Sequence, residues 1–145
     1  MQGEVVLITG CSTGIGRATA ATLATAGYEV VATARRPEEL EGIGAAMALQ
    51  LDVTDTTSIE ATVSAVLERH GWIDVLVNNE RYQGVTAGMR RQEPEPEAVS
   101  RVVRQAIESA RPRAHYVAGL PFPGRLVLHL GDFAWDLVVR KMFRI

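Results

Sequence analysis

Apolar and polar positions divide the first 79 residues into alternating strands and helices. Val5-Val6-Leu7-Ile8 is an uninterrupted apolar run, as expected of a strand buried on both faces of a parallel sheet. It leads into Thr9-Gly10-Cys11-Ser12-Thr13-Gly14-Ile15-Gly16, where three glycines allow a sharp turn and close approach of the backbone to a ligand. Ile15, Ala18, Thr22, Leu23 and Ala26 then share one helical face, and Gly27 follows where a left-handed cap is wanted. Tyr28 to Ala34, rich in β-branched residues, reads as a second strand broken by Arg35-Arg36-Pro37. Glu38 to Gly44 is a short helix or loop, and Ala46 to Val53 a third strand. Asp55 caps a helix over Thr56 to His70, with Ile59, Val63, Val66 and Leu67 as its buried stripe and Gly71 as its stop. Trp72 to Val77 forms a fourth strand and delivers Asn78 and Asn79 to the C-terminal edge of the sheet.

The glycine-rich turn between an apolar strand and an amphipathic helix suits phosphate. The free N–H groups of the first helical turn point toward this glycine turn, so the pyrophosphate of a dinucleotide is expected there. The end of the second strand faces the adenosine ribose in that arrangement. An acidic residue there would accept from the 2′-hydroxyl of NAD, whereas Arg35 favours the additional phosphate of NADP, with NAD retained as the second choice. An ordinary solvated loop is the other reading of these arginines. Asp52 and Val53 end the third strand where adenine would rest; Asp52 suits either a hydrogen bond from the adenine amino group or a turn and helix cap. The amides at Asn78 and Asn79 can tie strands together and touch the nucleoside.

The second half is patterned differently. Residues 80–97 form a polar connector in which Pro96 suits the first position of a helix. Ala98, Val99, Val102, Val103, Ala106, Ile107 and Ala110 keep helical spacing opposite Arg101, Arg104, Gln105 and Glu108. His115 to Gly119 reads as a short strand, and Leu126 to Ile145 as an amphipathic helix that packs on the sheet or presents its apolar side to a partner or membrane surface.

Composition narrows the function classes. The chain has 145 residues, 47% of them hydrophobic, and a formal net charge of −2, which suits one globular domain and gives no electrostatic reason for a nucleic-acid partner. No apolar run is long enough to span a bilayer and no signal-peptide pattern precedes the first strand, so the expected location is cytoplasmic. One cysteine excludes an internal disulfide, and three dispersed histidines beside it make no metal cluster.

The motifs TGCSTGIG at Thr9 to Gly16, LDVTD at Leu51 to Asp55 and VLVNN at Val75 to Asn79 resemble, in order and spacing, those of the short-chain dehydrogenases/reductases. The resemblance implies a Rossmann-like three-layer α/β sandwich, a parallel sheet with helices on both faces. It further implies an NAD(P)-dependent oxidoreductase of carbonyls or alcohols, with Gly10, Ser12, Thr13, Gly14, Ile15 and Gly16 holding pyrophosphate, Arg35 selecting NADP, Asp52 contacting adenine and Asn78 supporting the sheet. After Asn79 the pattern departs, with Glu80-Arg81 where the family continues Ala-Gly. Family members use a tyrosine and a lysine four residues apart on one helix. Here Tyr28, Tyr82 and Tyr116 are followed at that distance by Ala32, Thr86 and Leu120, and the only lysine is Lys141. No catalytic residue is therefore assigned. Residues 96–119 resemble the late helix and last strand of the family, which implies an internal deletion near Asn79; joining strand four, the Ala98 helix and the His115 strand as one right-handed crossover then gives a sheet of about five strands in the order 3-2-1-4-5. The expected function is an NADP(H)-binding domain of impaired catalysis. The alternatives are an enzyme with a proton donor from a partner or a non-standard residue, or a ligand-free remnant. Exposed apolar helices leave a homo-oligomer open.

Overall fold

The computed structural model describes residues 3–79, 95–111, 113 and 116. Four strands, β1 (Val5–Ile8), β2 (Glu29–Ala34), β3 (Met47–Gln50) and β4 (Val75–Val77), form a parallel sheet in the order β3-β2-β1-β4. The register sets Leu7 opposite Val31 and Leu76, so β1 is the central strand. All four β1 residues are buried, as their unbroken apolar run requires. The fifth strand expected at 115–119 and the helix expected at 126–145 lie outside the described residues.

Alternate β1 residues serve two cores. Val6 and Ile8 join Val30, Ala32 and Ala34 beneath helix α1 (Gly14–Thr25), which contributes Ala20 and Leu23; the 3-10 turn Pro37–Leu40 adds Leu40. Val5, Leu7 and Val31 point the other way, against Val66 of helix α2 (Thr56–His70). The caps are those the sequence suggests. Gly27 takes φ +90° after α1, Asp55 accepts from the Thr57 N–H at 2.9 Å, and Gly71 closes α2 at φ +84° with its N–H on the Leu67 carbonyl.

Three expectations change. The buried face of α1 is Gly16, Thr19, Ala20 and Leu23, whereas Ile15, Ala18, Thr22 and Ala26 are half-buried. The rotation is imposed by Gly16, which must press against the turn that ends β1. The stripe of α2 is also narrower than its periodicity suggests: Thr62 and Val66 are buried, but Ile59 is 39% and Leu67 43% exposed, and on the same sheet face Leu76 is 62% exposed. One helix over four strands leaves the β4 end of that face thinly covered by the described residues.

The third change concerns helix α3 (Pro96–Glu108), which starts with proline at its first turn as expected. It packs on α1: Ile107 joins the α1 core, and the buried Ser100 accepts from the Thr22 hydroxyl at 3.1 Å while donating to the Glu97 carbonyl. Thus α1 and α3 share one face and α2 takes the other. A right-handed crossover moving outward from β4 carries its helix on the α2 face. The expected single crossover through α3 therefore does not describe this helix, whose small Ser100 finds its counterpart on α1.

Replacing Leu23, fully buried on α1, by alanine is expected to cost about 2–5 kcal/mol, whereas Leu67→Ala costs less than about 1 kcal/mol because much of that side chain is already in water. Urea unfolding of the two variants checks the contrast; equal losses would show that the α2 face is covered after all.

Candidate functional site

The glycine turn is shaped by contacts too close for any side chain. Gly10 has φ +66° and Gly14 φ +59°, in the left-handed region that favours glycine. A Cβ on Gly16 would stand 2.3 Å from the Gly10 carbonyl oxygen and 2.7 Å from Asn79 Nδ2, and one on Gly10 would stand 2.8 Å from the Asn79 carbonyl oxygen. Gly14 differs, for a Cβ there would meet nothing within 4 Å. Two glycines thus let protein meet protein, and the third has open space before it.

Asn79 closes the turn. Its Nδ2 donates to the carbonyls of Thr9 at 3.3 Å and Gly10 at 3.1 Å, and its N–H donates to the Thr9 hydroxyl at 2.8 Å. That hydroxyl donates in turn to Asn78 Oδ1 at 3.2 Å. Asn78, the amide singled out from the sequence, is exposed and holds Thr9, whereas Asn79 holds the loop itself. Its partners lie 69 and 70 residues away, and the signal available in the sequence was only the adjacent pair of amides.

On the other side the turn is fastened to β2. The Cys11 N–H donates to the Thr33 carbonyl at 2.8 Å, and the Thr33 hydroxyl to the Ile8 carbonyl at 2.9 Å. The Cys11 thiol donates to Ile8 at 3.3 Å in full burial. Burial pushes its pKa up to about 11 from an ordinary 9.0, an effect partly offset by the backbone of Thr33. This places Cys11 among the packing residues. The start of α1, by contrast, is open: Thr13 precedes the helix in extended conformation without a side-chain cap, no acidic residue occupies the first turn, and Thr13 and Gly14 are exposed. Uncapped N–H groups and a positive helix end are what an anion requires.

At the end of β2, Ala34 is buried while Arg35 and Arg36 are exposed. Arg36 pairs with Glu39, and Arg35 approaches Asp52 closely enough to help depress its pKa. The larger cause is Thr54, whose hydroxyl and N–H donate to Asp52 Oδ1 at 2.7 and 3.0 Å. Asp52 is therefore a turn-former through Oδ1, while Oδ2 has no hydrogen-bond partner among the described residues. Val53 beside it is exposed. Arg17, not singled out from the sequence, donates from Nη1 and Nη2 to the carbonyls of Glu39 and Glu41. Among the described residues no cluster of histidine, cysteine and carboxylate side chains could hold a metal ion, and no helix is long and apolar enough to cross a membrane.

Comparison with known proteins gives this turn its context. The short chain dehydrogenase family model matches residues 4–110, including α3 as well as the glycine turn. The chain belongs to the short-chain dehydrogenase family. Its members are oxidoreductases that depend on NAD(P). The chain is 44% identical over 92 residues to dehydrogenase/reductase SDR family protein 7-like of Anopheles gambiae, a match covering 54% of this chain and 29% of that one. Oxidoreductase calM of Penicillium decumbens is 34% identical over 166 residues, covering 93% of this chain and 55% of that one. That match is longer than the 145 residues of this chain, so calM carries residues within it that this chain lacks. A short-chain dehydrogenase structure from Streptomyces avermitilis superposes with TM-score 0.50 at 46% identity, covering 53% of this chain and 30% of that one. The chain thus spans between under a third and about half the length of these relatives.

Two measurements check this geometry. Asn79→Ala removes both side-chain bonds to the loop and is expected to cost about 1–3 kcal/mol in unfolding free energy, since the Gly10 and Thr9 carbonyls lose their donors. The Cys11 thiol is expected to resist alkylation at pH 8 until the protein unfolds. Because the fold raises its pKa, the native state holds the proton more tightly: its contribution is whole below pH 9 and fades as pH rises toward 11, by about 2–3 kcal/mol relative to Cys11→Ala.

Proposed function

We propose that this chain is an NADP(H)-binding domain of the short-chain dehydrogenase family, without the family's proton-transfer machinery. The observation that carries the reading is the pairing of a packed Gly10–Gly16 contact with open space at Gly14 and an uncapped α1. In this reading the pyrophosphate lies over Gly10, Ser12, Thr13, Gly14, Ile15 and Gly16, where main-chain N–H groups and the helix dipole meet its charge. Gly14 is the residue whose missing side chain leaves room for the ligand. Asp52 Oδ2 and Val53 border the adenine, and Asn78 stands at the nucleoside end of β4.

Arg35 decides for the phosphorylated cofactor. Arg36 is engaged by Glu39, so Arg35 is the cation of the pair that answers the 2′-phosphate, drawn from its neighbour Asp52 by a doubly charged group. A bound dinucleotide brings the capacity for hydride exchange with a carbonyl or alcohol. For that exchange to proceed, the protein must hold the substrate oxygen and move a proton at it. None of the three tyrosines has a lysine four residues on, and a phenol with an ordinary pKa near 10 is a weak proton donor at neutral pH. We read the missing segment as an internal shortening near Asn79, in keeping with the longer calM match. The apolar Ile59, Leu67 and Leu76, exposed among the described residues, favour self-association.

Thermal unfolding with increasing NADPH, NADH or neither tests the binding. At a hundred times its dissociation constant NADPH is expected to stabilise the native state by about 2.7 kcal/mol, NADH less. Gly14→Asn, whose side chain enters open space at a left-handed φ of +59° that asparagine tolerates, is expected to fold and lose the shift, whereas Gly16→Val clashes with the Gly10 carbonyl and compromises folding. A saturable NADPH shift without turnover of a carbonyl panel supports a binding domain. Turnover would favour the enzyme reading, and no shift from a folded chain would leave the loop as architecture alone.

A further inference from the structure

Arg17 occupies an unfavourable place for a cation. It lies in the first turn of α1, at the positive end of the helix dipole, and its guanidinium nevertheless turns onto the protein, with one hydrogen bond part-buried and the other exposed. Its charge is answered by two main-chain carbonyls, Glu39 at 2.7 Å from Nη1 and Glu41 at 2.8 Å from Nη2. Both carbonyls follow the arginines that end β2. Glu39 also takes the Arg36 side chain on its carboxylate, and its N–H returns to the Arg36 carbonyl at 3.1 Å. One forked side chain thus fastens the whole 36–41 turn to the helix that begins at the glycine loop.

We infer that Arg17 is a positioning residue for cofactor choice: it holds the turn after β2 so that Arg36 stays engaged with Glu39 and Arg35 stays directed at the adenosine end of the site. The inference rests on the NADP(H) reading above and adds to it a residue that touches no cofactor. The geometry requires a fork. Two carbonyls separated along the chain are bridged by two nitrogens of one rigid plane, which the single ammonium of lysine does not reproduce. Arg17→Lys keeps the charge and loses the bridge, so it separates positioning from a direct charge effect on the phosphate.

The experiment compares wild type, Arg17→Ala and Arg17→Lys by dissociation constants for NADPH and NADH, with thermal unfolding of each free protein to verify folding. Both variants are expected to lose about tenfold in NADPH affinity while NADH changes by less than about threefold, the scale of one well-placed charged contact. In the absence of cofactor, hydrogen exchange at the Glu39 and Ile43 amides, which bond to Arg36 and Leu40, is expected to quicken in both. The inference is overturned if Arg17→Lys retains the wild-type preference, if both cofactors weaken equally, or if exchange is unchanged. A wild type that shows no preference for NADPH overturns it together with the cofactor reading, whereas a preference that survives Arg17→Lys leaves that reading intact.

Discussion

The fold hinges on a place where two stretches of backbone come too near for a side chain. Gly16 lies against the Gly10 carbonyl, and that contact sets how far α1 descends onto the sheet and how it is rotated about its axis. Everything on the α1 face follows. The rotation sends Thr19, Ala20 and Leu23 into the core, turns Thr22 toward α3, and leaves the start of the helix without a cap. Asn79 then locks the arrangement from the opposite strand, exchanging its amide for the loop carbonyls that the sharp turn would otherwise strand. Packing and ligand capacity are one feature here, since the same close approach that builds the core exposes the N–H groups.

The stretch after β2 is organised largely by charge. Arg35, Arg36, Glu39, Asp52 and Arg17 lie on or beside one short stretch after β2, and four of them have work already: Arg36 with Glu39, Arg17 with two carbonyls, Asp52 with Thr54. Exposed pairs of this kind add little to stability. Their value lies in direction: they hold the turn after β2 in place, which in the proposed reading leaves Arg35 to meet an incoming phosphate.

The two faces of the sheet are unequally served. One carries α1, the 3-10 turn and α3, joined by the Thr22–Ser100 hydrogen bond and by Ile107; the other carries α2, beyond which Leu67 and Leu76 stand in water among the described residues. A family whose relatives are longer, one of them with residues inside the matched stretch that this chain lacks, gives that imbalance a physical meaning. Among the described residues after β4, α3 adds cover to the α1 face alone, while the glycine turn, built from residues up to Asn79, is complete.

The amino-acid sequence by itself determined what depends on neighbours along the chain. The apolar run of β1 and the left-handed glycines Gly27 and Gly71 each act over a few residues. So do the Asp55 cap and Pro96 at a helix start, and all could be read from order alone. The family signature was legible for the same reason, being a local succession of strand, turn and helix. Only the tertiary structure decided which amide clips the loop, which carbonyls take Arg17, how α1 is turned, and that α3 lies on α1 rather than beside α2. These rest on contacts between positions 22 to 78 residues apart, where a helix's periodicity names an apolar face but not the partner. Asp52 shows the division within one side chain: spacing left turn-former and adenine acceptor equally open, and the fold commits Oδ1 to Thr54.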